Sequence, residues 1–206
     1  FTDEMGRCFG DLVPGCRELI PLVRRSFRET FWNPQAQCLG DVFDENALDT
    51  AIRPNQIFAV SLPFSPLEPE EQAAVVGAVR RHLLTPCGLR TLSPSDPAYR
   101  GRYRGSGPER DAAYHQGTVW PWLLGPFGEA ALRVAVNRDQ ERKALMNHLR
   151  IFLRGHLTEA GIGSVSEVFD GNPPHRPGGC VAQAWSVAEL IRLFFLLRSR
   201  GPAEGE

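Results

Sequence analysis

Two carboxylates stand in a glycine-framed loop. The stretch GIGSVSEVFDG carries Glu167 and Asp170 among Gly161, Gly163 and Gly171, which allow tight backbone turns around them. A carboxylate held in such a loop can serve as a general base. The ordinary alternative, a helix cap or an ion pair with an arginine such as Arg176, stays open on these residues alone. A second cluster, RDAAYHQGTVWPW, gathers Arg110, Asp111, Tyr114, His115, Gln116, Trp120 and Trp122 just before an expected helix start. Flat aromatic faces beside planar hydrogen-bonding groups suit a sugar, whose ring has apolar C–H faces and a rim of hydroxyls. Trp120 and Trp122 equally suit a hydrophobic core. A third cluster, IRPNQ, sets Arg53, Asn55 and Gln56 at a helix start, where capping is the simplest role.

Other chemistries are set aside. His115, His148, His156 and His175 show no HxxxH or HExxH spacing, so no metal centre is expected. The chain has no GxxxxGK[ST] loop, no Rossmann fingerprint after a strand and no GxSxG elbow, and no cofactor is expected. Arg100, Arg102 and Arg104 alternate with Gly101, Tyr103 and Gly105, a pattern that fits phosphate or a solvated loop. With Lys+Arg 23 against Asp+Glu 24, a nucleic-acid partner is not expected. No apolar run approaches the roughly 20 residues that cross a bilayer, and the first residues lack the order of a signal peptide. The five cysteines are odd in number, scattered and without a CxxC pair. Free thiols in a reducing cytoplasm are expected. The chain starts at Phe1 rather than methionine, which fits an excerpt or a processed product of something longer.

These clusters need elements to hold them. The 206 residues, 42% hydrophobic and 23% charged, fit one globular domain with a single core. Apolar residues recur every three or four positions over 11–32, from Leu12 through Cys16, Leu19, Ile20, Val23 and Phe27 to Phe31, which predicts a long amphipathic helix. Further helices are predicted from NQIFAVSL with Asn55 as cap, over 68–84, over 120–136 with Pro121 in the first turn, over 138–160, and over 181–198. The last is apolar nearly all round, which predicts burial on more than one side. Six helices without strand alternation make the expected fold all-α, and their irregular starts exclude a fixed-period solenoid. Two long connections, 85–118 and 161–179, carry most of the chemistry-bearing residues.

Three stretches, in this order, resemble the C-terminal part of the prokaryotic-type glycogen debranching enzyme family, amylo-alpha-1,6-glucosidase. They are IRPNQIFAVSLPFSPL; GLRTLSPSDPAYRGRYRG with AYHQGTVWPWLLGPF; and AGIGSVSEVFDG followed by GCVAQAWSVAEL. The likeness covers about residues 31–192, and 199–206 read as a polar tail. It implies an (alpha/alpha)6 toroid of twelve helices in six hairpins, of which 1–206 supply about half. It implies an inverting hydrolase that removes single alpha-1,6-linked glucose stubs from glycogen or a limit dextrin. By the same likeness Glu167 is the general base, and the general acid is an aspartate upstream of these residues. Arg53, Asn55, Gln56, His115, Gln116, Trp120 and Asp170 are expected to bind the sugar, with Trp120 stacked on a glucose ring. The missing partner is then the N-terminal half of the same domain, and the chain alone is expected to be inactive. Two other readings stand beside this one: a noncatalytic helical domain that binds glycan or protein, and a related glucoamylase- or trehalase-like hairpin glycosidase.

Overall fold

The computed structural model describes residues 16–45 and 47–199. Seven α-helices carry about half of them: α1 (Cys16–Phe31), α2 (Phe58–Ser61), α3 (Pro69–His82), α4 (Gly107–Tyr114), α5 (Leu124–Val134), α6 (Arg138–His156) and α7 (Ala184–Arg198). Short strands lie between them. β1 (Trp32–Asn33) pairs with β2 (Cys38–Leu39), and β3 (Phe43–Asp44) pairs with β4 (Ala47–Leu48). The remaining five, β5 (Leu84–Thr85), β6 (Gly88–Arg90), β7 (Val119–Trp120), β8 (Val168–Phe169) and β9 (Pro177–Gly178), form one antiparallel sheet in chain order. The all-α expectation is therefore corrected to a helical chain with a small antiparallel sheet. Strands of two or three residues are too short to show the period-two alternation that betrays a strand in sequence.

The middle helix organises the core. α5 packs against α2, α3, α6 and α7, and it is buried at Leu124, Phe127, Ala130, Ala131 and Leu132. Its small residues set how closely the neighbours approach: a Cβ at Gly128 would run into the side chain of Leu193 on α7. Leu83, Leu89, Val119, Val168 and Phe169 carry the same core into the sheet. Burial of this apolar surface is the main favourable term holding helices and sheet together.

Helix ends follow local chemistry. Pro54 sits at the first position of a 3-10 turn, Pro54–Ile57, that runs on into α2. Because that ring is already set for helix, the turn starts at Pro54 with Arg53 as its N-cap, and Asn55 is not the cap. The Asn55 amide instead donates to Asp41 Oδ1 at 2.7 Å. α5 is likewise entered through a 3-10 turn at Pro121–Leu123, which leaves Trp120 in a strand. α6 stops at His156 rather than at 160. α4 lies inside a segment expected to be loop, and its signal was the capping box in which Ser106 and Glu109 satisfy each other's end of the helix.

Two faces differ from expectation. α7 is buried along one line, Ser186, Leu190, Leu193 and Leu197, while Trp185, Ile191 and Phe195 are exposed. On α1, Phe27 and Phe31 pack on the core, whereas Leu19 and Val23 are exposed; Leu12 lies outside the described residues.

Phe127 is the largest wholly buried side chain on α5, so Phe127→Ala is expected to cost about 3–5 kcal/mol from lost burial and the cavity left behind. Denaturant unfolding checks this, the midpoint falling with little change of slope.

Candidate functional site

The antiparallel order β7, β8, β9 brings the two long connections together. Glu167 directly precedes β8, and its N–H donates to Cys180 O at 2.8 Å. The half-buried carboxylate is held from two directions. The Tyr114 hydroxyl, at the end of α4, donates to Oε1, and the Cys180 N–H donates to Oε2 at 2.8 Å. Each oxygen keeps a lone pair that neither donor uses, so the group can still accept a proton or a hydrogen bond from water. Burial, reinforced by the hydrogen bond and negative charge of Glu167, holds the Tyr114 phenol well above its ordinary pKa, so it remains a donor. Gly179 closes the back of this arrangement. Its φ of 67° is left-handed, and a Cβ there would lie 3.1 Å from the Glu167 carboxyl carbon.

A cavity of about 400 Å³ opens beside Gly179, lined by Tyr103, Arg110, Gly178 and Gly179. A second cavity of about 400 Å³ has a lining that includes Asp41, Asp49, Arg53, Asn55, Thr91, His115 and Gln116. Arg53 is its frame. The guanidinium reaches Gln116 Oε1 at 2.7 Å, His115 O at 2.6 Å and Thr91 O at 3.1 Å, and it pairs with Asp41 through Nε at 3.4 Å. A third, more apolar cavity of about 440 Å³ shares Asp41 and Asn55 with the second and is otherwise walled mainly by Phe27, Phe31, Phe58 and Phe64.

Four of the residues expected to bind sugar, Arg53, Asn55, His115 and Gln116, thus line one cavity. Gln56 borders the apolar one; it is buried, and its amide donates to Arg53 O at 3.0 Å. Trp120 does not offer a free ring. It is 6% exposed, its Nε1 donates to Tyr114 O at 3.1 Å, and His115 stacks on it at 5.7 Å with planes 6° apart. The indole packs as core beneath an exposed imidazole, and His115 takes the outward position expected of Trp120.

Asp170 is also removed from direct contact with a ligand. It is 2% exposed and accepts from Tyr103 N at 2.8 Å, Arg104 at 2.9 Å and Arg102 at 3.2 Å. Burial alone would raise its pKa, but the Tyr103 N–H and the two guanidinium groups outweigh it and hold the carboxyl below its ordinary value. The ion pair left open by the sequence is thus real, but its partners are Arg102 and Arg104. The Arg176 backbone carbonyl accepts from the Asp170 N–H instead, at 2.9 Å.

Sequence reasoning passed over Asp41 and Asp49. Asp41 meets its partner Asn55 across fourteen residues, and no spacing marks such a contact in advance. Among the described residues, no three His, Cys, Asp or Glu side chains gather as a metal site, and no helix is long and apolar enough to cross a membrane. Cys38, Cys87 and Cys180 are free thiols. Burial, with a smaller contribution from Glu159, pushes the Cys87 thiol up to about 12, which makes it a poor nucleophile near neutral pH.

The site thus combines a polar cavity framed by Arg53 with a braced carboxylate packed against Gly179, which lines another. The chain belongs to the amylo-alpha-1,6-glucosidase family, whose model matches residues 14–192. It is similar to the glycogen debranching enzyme of Saccharomyces cerevisiae, at 30% identity over 167 residues. That match takes in 71% of this chain and 11% of the yeast protein, so the chain corresponds to a small part of the relative's length.

The Asp170 environment sets a pH dependence. Its folded pKa is depressed, so its contribution to stability is fully present above the ordinary carboxylate value of about 3.9 and is lost as pH falls through the lower folded value. Asp170→Asn is expected to lower the melting temperature at neutral pH and to flatten the acid limb of a melting-temperature series. An acid limb identical to wild type would refute the assignment.

Proposed function

We propose that this chain is the base-bearing part of a glycoside hydrolase that removes alpha-1,6-linked glucose stubs from glycogen or a limit dextrin with inversion. The observation that carries this reading is the Glu167 carboxylate, braced by Tyr114 and the Cys180 N–H with lone pairs left over and packed against Gly179, a residue that lines a cavity. In the proposed step Glu167 takes a proton from water while the water oxygen bonds to the anomeric carbon. The glycosidic C–O bond breaks, and the leaving oxygen takes a proton from an acid. An inverting site separates its two carboxyl groups by about 6.5–9.5 Å to admit that water. The acid is assigned to an aspartate upstream of this chain, in the half of an (alpha/alpha)6 toroid that would complete the ring. The exposed apolar stripe of α7 supports a missing neighbour of that kind.

Asp41, Arg53, Asn55, His115 and Gln116 are proposed as hydroxyl-binding groups, held ready because Arg53 ties their segments together. Trp120 and Gln56 support this wall from behind, and Asp170 fixes the arginines beside it. Free thiols support a reducing compartment such as the cytoplasm.

In a protein that carries this chain and degrades limit dextrin, Glu167→Gln is expected to lower turnover by at least about a hundredfold while leaving glucan binding in place, because an amide cannot take the proton. Glucose release and glucan binding are measured side by side. Turnover near wild type would remove Glu167 from its role. The isolated 206-residue chain is expected to release no glucose above a Glu167→Gln control, and release above it would place the acid within these residues.

A further inference from the structure

α6 ends on a side chain that lines none of the three cavities. His156 is 2% exposed and packs on Phe169 of β8, the strand that Glu167 directly precedes. Its ring lies between Phe152, nearly parallel at 5.6 Å and 10°, and Phe169, edge-on at 4.7 Å and 69°. Nε2 accepts the backbone N–H of Ser166 at 3.1 Å, and Nδ1 faces Glu159 Oε2 at 3.2 Å.

The tautomer follows from these contacts. A peptide N–H can only donate, so Nε2 must present a lone pair and the ring hydrogen must sit on Nδ1, directed at Glu159. Ser166 is 1% exposed, so no solvent is available to replace the imidazole as acceptor for its N–H. The next residue is Glu167, whose own N–H is bonded to Cys180 O. Two successive peptides are therefore fixed from opposite sides, one by the end of α6 and one by the segment after β9. Only with that backbone held can the Glu167 side chain meet both the Tyr114 hydroxyl and the Cys180 N–H.

We propose that His156 is a positioning residue for Glu167, acting through the Ser166 peptide as a neutral, Nε2-accepting imidazole. The proposal rests on Glu167 being the base. Its physical content is that removing the acceptor lets the strand drift while the cavities that bind glucan stay as they are. A displacement of about 1 Å at a reacting group can cost on the order of a hundredfold in rate.

The test uses two substitutions in a protein that carries this chain and is active on limit dextrin. His156→Phe keeps a ring between Phe152 and Phe169 but removes the acceptor, whereas His156→Gln restores an acceptor oxygen and a donor amide. The Phe variant is expected to lose about tenfold or more in kcat with KM for limit dextrin unchanged. Amide exchange should quicken at Ser166 and Glu167, and the Gln variant should recover both. Wild-type kcat in a folded Phe variant, unchanged exchange at Ser166, or equal loss in the Phe and Gln variants overturns the proposal. Should the Phe variant not fold, nitrogen NMR of the wild-type imidazole decides: an unprotonated Nε2 at neutral pH supports the proposal, and a hydrogen on Nε2 overturns it. The two readings fail separately, because an active Glu167→Gln protein removes the base assignment, whereas exchange at Ser166 tests the tether without reference to catalysis.

Discussion

The arrangement depends on one strand finding its place. β8 lies between β7 and β9, with Val119 opposite Phe169 and with Val168 and Phe169 opposite Gly178 and Pro177. Val119, Val168 and Phe169 are buried in the same core as α5. That insertion brings Glu167 to Tyr114 across 53 residues of sequence. Apolar burial supplies the driving force and the ladder supplies the register. A slip of one residue would exchange the faces that Val168 and Phe169 fill and carry the neighbouring carboxylate away from its donors.

The polar wall shows a complementary strategy. One guanidinium, that of Arg53, ties together Asp41, the Thr91 and His115 carbonyls and the Gln116 amide. These groups come from segments far apart in the chain, and folding alone fixes their relative positions. In the proposed sugar-binding role, fixing them on folding lowers the entropy that binding must later overcome. The fork of donors on arginine suits this role better than the point charge of lysine. Asp170 does the same for Arg102 and Arg104 with the charges reversed.

What could be read in the sequence follows from what each signal measures. Helix periodicity over 68–84, 120–136 and 138–160 located α3, α5 and α6, because packing on one face leaves a repeat that survives without tertiary information. The strands left no such trace, and α4 was hidden because a helix of eight residues has barely two turns in which to repeat. Residue type suggested Glu167 and the Arg53 cluster, yet it could not distinguish an aromatic ring that faces a ligand from one that faces the core. Both Trp120 and His115 were expected to face a ligand, and the indole instead packs as core for a reason visible only in three dimensions: β7 turns it inward. Asp41 was illegible for the same reason, since its partners are set by the hairpins β1–β2 and β3–β4 on either side of it.

The aromatic packing has a spectroscopic consequence. Trp185, at the start of α7, stands 5.9 Å from Trp120 and 6.4 Å from Trp122, and His115 stacks on the first. Three of the four tryptophans therefore form one chromophore cluster touching the polar wall. Rings so close exchange excitation energy, and the imidazole stacked on Trp120 is part of the surroundings that set its emission. Most of the indole emission of this protein thus originates beside His115, with Trp32 as the one contributor elsewhere, and changes there can be followed without attaching a label.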